Sequence, residues 1–529
     1  MKRLLLLPAT LLAVSCASGP SGEQDLVNKA VNALGGEAAL GQLRTVSIAG
    51  NAKVWEYASS YQPADKPRDS AEAKFQLQRD LASGAARIDW DRTVLRTPKP
   101  ERQTYSEILA GGVGYVHGID SQQRTEFSMK SNPPGHPMSA ARNSITQREL
   151  LRQSPRLLLE MKVNPGSVKH IAAQTAGDRQ LPAVQYDVRN WSFIVMFDPQ
   201  SGLPARIRTR DFDPVQGDSN YDLALGDWRS VGGVRVAHSL TYKLNERDLI
   251  AIKYDQVTAN PALSPQLFEI PTMARAVAVR AAMGNDVPYQ WMIRRGYWGN
   301  LLDSDGQNWD TAKGEPQLVD IAPGVSQTRG TPGNSLVVEM DTYLIVFDAP
   351  TGEVMSEWTI RAAKKKYSNK PIRYLMVTHH HWDHANGART YVAEGATVIV
   401  GKGNKEHFAR MFTVSAETVN DRLQRNPHKA VIIEVTDKHV VSEGKRQVGA
   451  YYIDHSHSTG TLIFYVPDAR LGFATDIWSP GREPLPPKPT KGLIELVDGV
   501  KKHGLNPATF AGGHGTTGNY AELAKLVGN

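Results

Sequence analysis

Residues 378–387 read Thr-His-His-His-Trp-Asp-His-Ala-Asn-Gly, so His379, His381, Asp383 and His384 follow one another as H-x-H-x-D-H. Zinc takes neutral imidazole nitrogen and carboxylate oxygen, and a catalytic zinc keeps one coordination position open for water. A loop leaving a strand can aim His379 and His381 at one cation and Asp383 and His384 at a second. Two such cations sharing a water imply hydrolysis. The remaining ligands must come from further along the chain, and three residues stand in suitable places. His457 lies in Asp454-His-Ser-His-Ser-Thr-Gly460, Asp476 follows the apolar run 471–475, and His514 sits in Ala511-Gly-Gly-His-Gly515. The glycines around His514 let backbone approach a metal centre closely. His455 competes with His457, and the H-x-x-G spacing to Gly460 favours His457.

In this order the residues resemble the metallo-β-lactamase superfamily over roughly residues 316–529. The resemblance implies two Zn2+ ions: His379, His381 and His457 on the first, Asp383, His384 and His514 on the second, and Asp476 between them. It further implies that Asp383 is catalytic, holding and orienting the nucleophile, and that Asp348 orients a ligand histidine from behind. Cys16 is the only cysteine, which excludes the β-lactamase subclass with a cysteine ligand. A second subclass lacks the bridging aspartate, so Asp476 directs the reading toward the branch resembling glyoxalase II, lactonases and esterases. The expected reaction is hydrolysis of an ester, thioester or lactone in a small-molecule substrate by a metal-bridging hydroxide. β-Lactam, phosphodiester or sulfate-ester hydrolysis is the alternative within the superfamily, and an iron-dependent oxidoreductase lies further off.

Such ligands need strands to deliver them. Residues 371–378 form a short apolar run ending at the histidines, 343–347 a run ending at Asp348, and 461–466 and 471–475 two more. Residues 356–367 read as a helix with Lys364, Lys365 and Lys366 on an exposed face. The expectation is a C-terminal α/β domain with ligands at strand ends, which the resemblance specifies as an αββα sandwich. His380 and Trp382 alternate with the ligands and face away or line the rim, while His407, His428, His439 and His503 have no ligand-like setting. The proline-rich run 478–489 borders the pocket. Arg482 and Lys488 within it read first as solvated, second as contacts for an anionic substrate group.

The chain of 529 residues is too long for one core, and 40% hydrophobic with 22% charged residues is a globular composition. A net charge of +7 with mixed signs speaks against nucleic acid as a partner. Residues 1–15 read as a lipoprotein signal peptide and 16–23 as a flexible tether. Lipidated Cys16 would then hold an exported protein on the outer membrane, facing the periplasm, since Ala17 rather than aspartate follows it. Residues 24–272 read as a mainly antiparallel β domain with one helix at 25–34, an α+β half-barrel. Its strands are expected at 45–54, 86–91, 183–188, 193–197, 205–210, 234–242 and 251–257, with a turn at 198–204. The helix-Gly-Gly start and the ending at Pro271 loosely resemble the LolA-type lipoprotein carriers. That likeness leaves a lipid-handling lipoprotein with an accessory hydrolase domain as an alternative, beside a spacer or dimerisation module. Residues 273–315 read as a linker with a helix at 273–283, where Trp291, Tyr297, Trp298 and Trp309 pack an interdomain seam or wall the active site. Oligomeric state is not encoded in any of these patterns.

Overall fold

The computed structural model describes residues 22–63, 66–95, 100–120, 134–275, 289–298, 317–329, 333–482 and 484–528. The signal-like start, Cys16, most of the tether, Trp309 and the greater part of the expected helix at 273–283 lie outside them.

Among the described residues the N-terminal half is one antiparallel sheet of thirteen strands. It contains β1 (Thr45–Glu56), β2 (Arg68–Asp80), β3 (Ala86–Val94), β4 (Glu101–Ala110), β5 (Val113–Gly118) and β6 (His136–Pro137). After two helices come β7 (Val168–Ala176), β8 (Arg179–Val188), β9 (Trp191–Phe197), β10 (Pro204–Asp213), β11 (Gly217–Val231), β12 (Val234–Leu244) and β13 (Arg247–Ala259). The order runs β6 to β1, then β13 down to β7, so β1 and β13 meet in the middle. Strand alternation drives the burial: Val46, Ile48, Ala52 and Val54 of β1 point into the core. β2 escapes sequence reading because its inward residues Ala71, Ala73, Phe75 and Leu77 alternate with Glu72, Lys74 and Gln76, all residues with good helix propensity. The same pairing that completes the sheet, Phe75 opposite Gly50 and Trp90, overrides that propensity.

More helix covers this sheet than the single one expected. α1 (Gly22–Ala33), α2 (Gly36–Gln42), α3 (Ala140–Arg152) and α4 (Leu157–Val163) are joined by α5 (Thr272–Arg275) and α6 (Tyr289–Trp298). Val27, Val31, Ile145, Leu157, Leu158 and Ile293 from these helices share one apolar cluster with the inward face of the strands. Tyr297 of α6 packs edge-on against Trp90 with ring centroids 5.2 Å apart. It therefore fills the N-terminal core and neither seals a seam nor walls a metal site; the side chains of Trp291 and Trp298 lie outside the description.

The C-terminal half is a four-layer sandwich. One sheet orders β14 (Gln317–Ala322), β15 (Val325–Arg329), β16 (Leu336–Glu339), β17 (Leu344–Phe347), β18 (Ile372–Met376), β19 (Thr397–Gly401) and β20 (Ile432–Val435) in sequence. The other orders β21 (Lys438–Glu443), β22 (Arg446–Tyr452), β23 (Leu462–Val466), β24 (Leu471–Ala474), β25 (Thr509–Gly512) and β26 (Thr517–Asn519). β17 to β20 run parallel, as do β24 and β25. Val338, Ile345, Phe347 and Met376 of the first sheet meet Val448, Leu462, Phe464 and Phe473 of the second in one core. α7 (Glu353–Lys366), α8 (Trp382–Ala385), α9 (Ala388–Ala393), α10 (Lys405–Thr413) and α11 (Arg422–Arg425) follow the first sheet's strands. α12 (Lys491–Lys502) and α13 (Tyr520–Val527) cover the second. The helix expected at 356–367 thus begins three residues earlier, and Lys365 and Lys366 are exposed while Lys364 pairs with Glu394.

Polar contacts are among those that join the two halves. Asp218 of β11 accepts from the amides of Glu417 at 2.9 Å and Thr418 at 2.8 Å. Gly217, at φ 74°, lies so close that a Cβ there would meet the Ser415 carbonyl oxygen at 2.5 Å.

Phe347 is fully buried between Phe464 and Phe473, at centroid distances of 4.7 and 5.8 Å, and so pins one sheet to the other. Phe347→Ala is expected to destabilise the sandwich by about 3–5 kcal/mol, read from the shift in denaturant midpoint. A change under about 1 kcal/mol would contradict this packing.

Candidate metal centre

The parallel strands explain why distant residues converge. β18 runs out into Thr378 and His379, β17 into Asp348, β24 into Asp476 and β25 into His514, all at carboxyl ends of strands. His457 comes from the connection between β22 and β23, and Asp383 and His384 from α8.

Two ligand groups result, each with its donor atoms within 4.8 Å of one another: His379, His381, His457 and Asp476, then Asp383, His384, Asp476 and His514. In the first, His457 Nε2 lies 3.2 Å from His379 Nε2, 3.0 Å from His381 Nδ1 and 3.1 Å from Asp476 Oδ2. In the second, Asp476 Oδ1 lies 2.8 Å from His514 Nε2 and 3.1 Å from His384 Nε2, and Asp383 Oδ2 is 3.5 Å from His514 Nε2. A tetrahedron with zinc–nitrogen bonds of about 2.0–2.1 Å has edges of about 3.3 Å, so these spacings and this nitrogen and oxygen donor set fit a pair of zinc-sized cations. The two oxygens of Asp476 divide between the groups. All seven residues singled out from the sequence are brought together.

The histidines are aimed by groups behind them. Asp348, fully buried at φ 57°, accepts from the Thr378 amide at 2.7 Å, the Thr378 hydroxyl at 2.9 Å and His384 Nδ1 at 3.1 Å. Having spent its proton on Asp348, the Thr378 hydroxyl can only accept from His379 Nδ1, 3.1 Å away. Both rings are thereby left with a bare Nε2 facing the site. A non-glycine residue in the left-handed region costs about 1–3 kcal/mol, a strain that the three-donor seat of Asp348 sustains. Thr378 and Thr475, whose hydroxyl lies 2.8 Å from His384 Nδ1, carried no signal in the sequence beyond their place beside ligands. Gly513 is required sterically, because a Cβ there would meet the Thr475 hydroxyl at 2.1 Å.

Other histidines fall away. His455 Nε2 lies 3.2 Å from the Gly492 carbonyl and 3.6 Å from Glu495, in neither ligand group. His380 turns to the half-buried His407, centroids 5.6 Å apart, and Trp382 joins the apolar cluster of the N-terminal sheet, so both face away from the ligands. His503 bonds the Tyr452 carbonyl, and His428 and His439 stand apart from both groups. Lys488 is exposed and Arg482 half-buried.

Burial pushes His379 down to about 3 and His381 well below the usual imidazole range, so both are neutral and ready to donate lone pairs. His384 is as deeply buried, but Asp476 and Asp383 overcome that and raise it well above its ordinary value. His514 moves the same way through its bonds to Asp383 and Asp476, against its own burial. Burial resists ionisation of Asp476, yet His384 and the surrounding imidazoles hold it well below the carboxylate range.

Residues 328–514 match the family described as the metallo-β-lactamase superfamily. Among solved structures, the inverting sec-alkylsulfatase Pisa1 from Pseudomonas sp. is 16% identical over 40% of this chain, TM-score 0.31, and the match spans 41% of the sulfatase's own length. A metallo-β-lactamase from Pontibacter korlensis is 16% identical over 40% of this chain and 97% of its own, TM-score 0.30. The mono-zinc form of FIM-1 from Pseudomonas aeruginosa is 18% identical over 40% of this chain and 93% of its own, TM-score 0.29. No curated protein matches the chain. Fold and site together define the class of that segment: residues 328–514 form a metallo-β-lactamase superfamily domain, with the architecture of a metal-dependent hydrolase.

His384 and His514 hold a proton more firmly than a free imidazole, and His379 and His381 less firmly. Protons therefore compete better for the second ligand group. Lowering the pH from about 8 to about 5 is expected to empty that group before the first, so bound metal per chain after equilibrium dialysis falls in two steps. Loss of both in one step would contradict the assignment.

Proposed function

We propose that this protein is a binuclear zinc-dependent hydrolase of esters, thioesters or lactones. The observation that carries the reading is the division of the two Asp476 oxygens between two complete ligand groups, 3.1 Å from His457 and 2.8 Å from His514. A zinc pair held there supplies Lewis acidity and a water whose pKa is brought near neutrality.

The chain's own residues set the conditions for that chemistry. Asp476 fixes the separation of the two groups, and the Asp348 seat holds His379 and His384 in the tautomers that present Nε2. Asp383 stands 3.5 Å from His514 and 3.7 Å from His384 with its carboxylate partly exposed, a position from which it holds and orients the attacking water. No hydroxyl or thiol nucleophile is needed. The absence of a cysteine from either group, with an aspartate in the shared position, supports the acyl-hydrolase branch over the cysteine-dependent β-lactamases.

Metal analysis alongside a hydrolysis screen tests this. Two zinc per chain and turnover of lactones or thioesters are expected, and Asp476→Ala should lower kcat/KM beyond the about 100-fold that loss of a mere supporting residue can cost. Turnover confined to phosphodiesters, sulfate esters or β-lactams would move the substrate class, and a single iron per chain would end the reading.

We also propose attachment to the outer membrane through lipidated Cys16, supported by the basic start, the apolar run 4–14 and the Ala13-Val-Ser-Cys16 box. Cys16→Ser is expected to move the protein from the membrane to the soluble fraction; unchanged membrane recovery would contradict it.

A further inference from the structure

β1 ends at Glu56 and β2 begins at Arg68, and the connection between them reaches across into the C-terminal half. Its carbonyls grip the two segments that carry the histidines of the first ligand group. The Ala58 carbonyl accepts from the Trp382 amide at 3.2 Å, and the Tyr61 carbonyl from the amide of Thr459 at 2.8 Å. Between them, the Ser60 carbonyl accepts from the side chain of His381, Nε2 to oxygen 2.9 Å. His381 presents its other nitrogen, Nδ1, to the ligand group, 3.0 Å from His457 Nε2.

The grip is built from inside. Ser60 is 0% exposed, and its hydroxyl lies 3.0 Å from the Tyr57 carbonyl and 2.7 Å from that of Gln62. Glu56, at the root of the connection, accepts from the Ala58 amide at 2.6 Å and pairs with Arg294 of α6, both only 2% exposed. Gln290, one turn earlier on α6, donates its backbone N–H to the carboxylate of Asp211 in β10 at 2.7 Å. The connection therefore rests on three elements of the N-terminal half.

We propose that residues 57–61 act as a strap that positions the first metal site, the Ser60 carbonyl holding His381 as the tautomer that carries its proton on Nε2 and offers Nδ1 to the metal. The proposal rests on the binuclear reading above. A neutral imidazole has one N–H and one lone pair, and which nitrogen binds metal is set by the bond the other makes. A carbonyl oxygen can only accept, so it selects one tautomer and one ring orientation. His379 and His384 receive this service from Asp348 within their own domain; His381 receives it from the other half of the molecule. Contacts serving only as adhesive between the halves would end on backbone amides, as those of Ala58 and Tyr61 do. That of Ser60 ends on the ligand ring itself.

The experiment uses the full chain. In zinc-loaded protein with 15N-labelled histidine, the Nε2–H proton of His381 is expected to be seen and to exchange slowly with water. Two variants loosen the strap: Glu56→Ala with Arg294→Met, which removes the buried pair together so that neither charge is stranded, and Ser60→Gly, which removes only the internal clamp. Chelator titration in two steps, assigned with His514→Ala, should show the first group's zinc affinity falling about 10- to 100-fold with the second unchanged, and the His381 proton exchanging faster. Should the double variant fail to fold, Ser60→Gly and the wild-type proton decide the matter. Folded variants that keep wild-type affinity in both steps, or a wild-type His381 protonated on Nδ1, overturn the strap. A wild type that takes up one zinc with His381 behaving as described overturns the binuclear reading and leaves the strap standing.

Discussion

An imidazole can serve a metal only when the right nitrogen is bare and aimed, and that constraint organises this site. The buried carboxylate of Asp348 meets it for two rings at once, directly for His384 at 3.1 Å and through the Thr378 hydroxyl for His379. Its ionisation is itself disfavoured by burial, so the seat of two Thr378 donors and one imidazole is what sustains the charge. Remove that charge and the two ligands lose their common reference point. Asp348 is placed by β17, Thr378 by β18, and the parallel pairing of those strands sets the distance between them.

The wider fold follows from the same need. Parallel strands bring carboxyl ends to one edge, and the sandwich stacks two such edges so that His379 from one sheet faces Asp476 and His514 from the other. The aromatic contacts of Phe347 with Phe464 and Phe473 hold those edges in register. Ligands 135 positions apart in the chain, from His379 to His514, thus depend on a core that contains none of them.

Much of the metal centre was legible in the sequence because its chemistry is written in rare residue types at fixed spacings. H-x-H-x-D-H, His457 before Gly460, and Asp348 and Asp476 after apolar runs need no long-range information to be recognised. The supporting groups were opaque for the opposite reason. Thr378 and Thr475 are ordinary residues made important by position, and Ser60 acts through a carbonyl, a group every residue has. In the N-terminal half, strands of Val, Ile and aromatic residues were legible, whereas β2 and β7 are rich in Ala, Glu, Gln and Lys and declare themselves only when paired. The helices α3 and α4 were hidden likewise, since their buried arginines and leucines blur the apolar stripe.

The hydrogen bond from His381 to Ser60 also bears on how the molecule comes apart. Because the thirteen-stranded sheet and the sandwich share one seat, separating them would uncover Trp382 and release a ligand ring in one event. A bound cation then adds its binding free energy to the cohesion of both halves at once, since the thirteen-stranded sheet holds one of its ligand rings in place. The chain should therefore melt as a single cooperative unit when loaded, although its length and its separate cores would otherwise allow two.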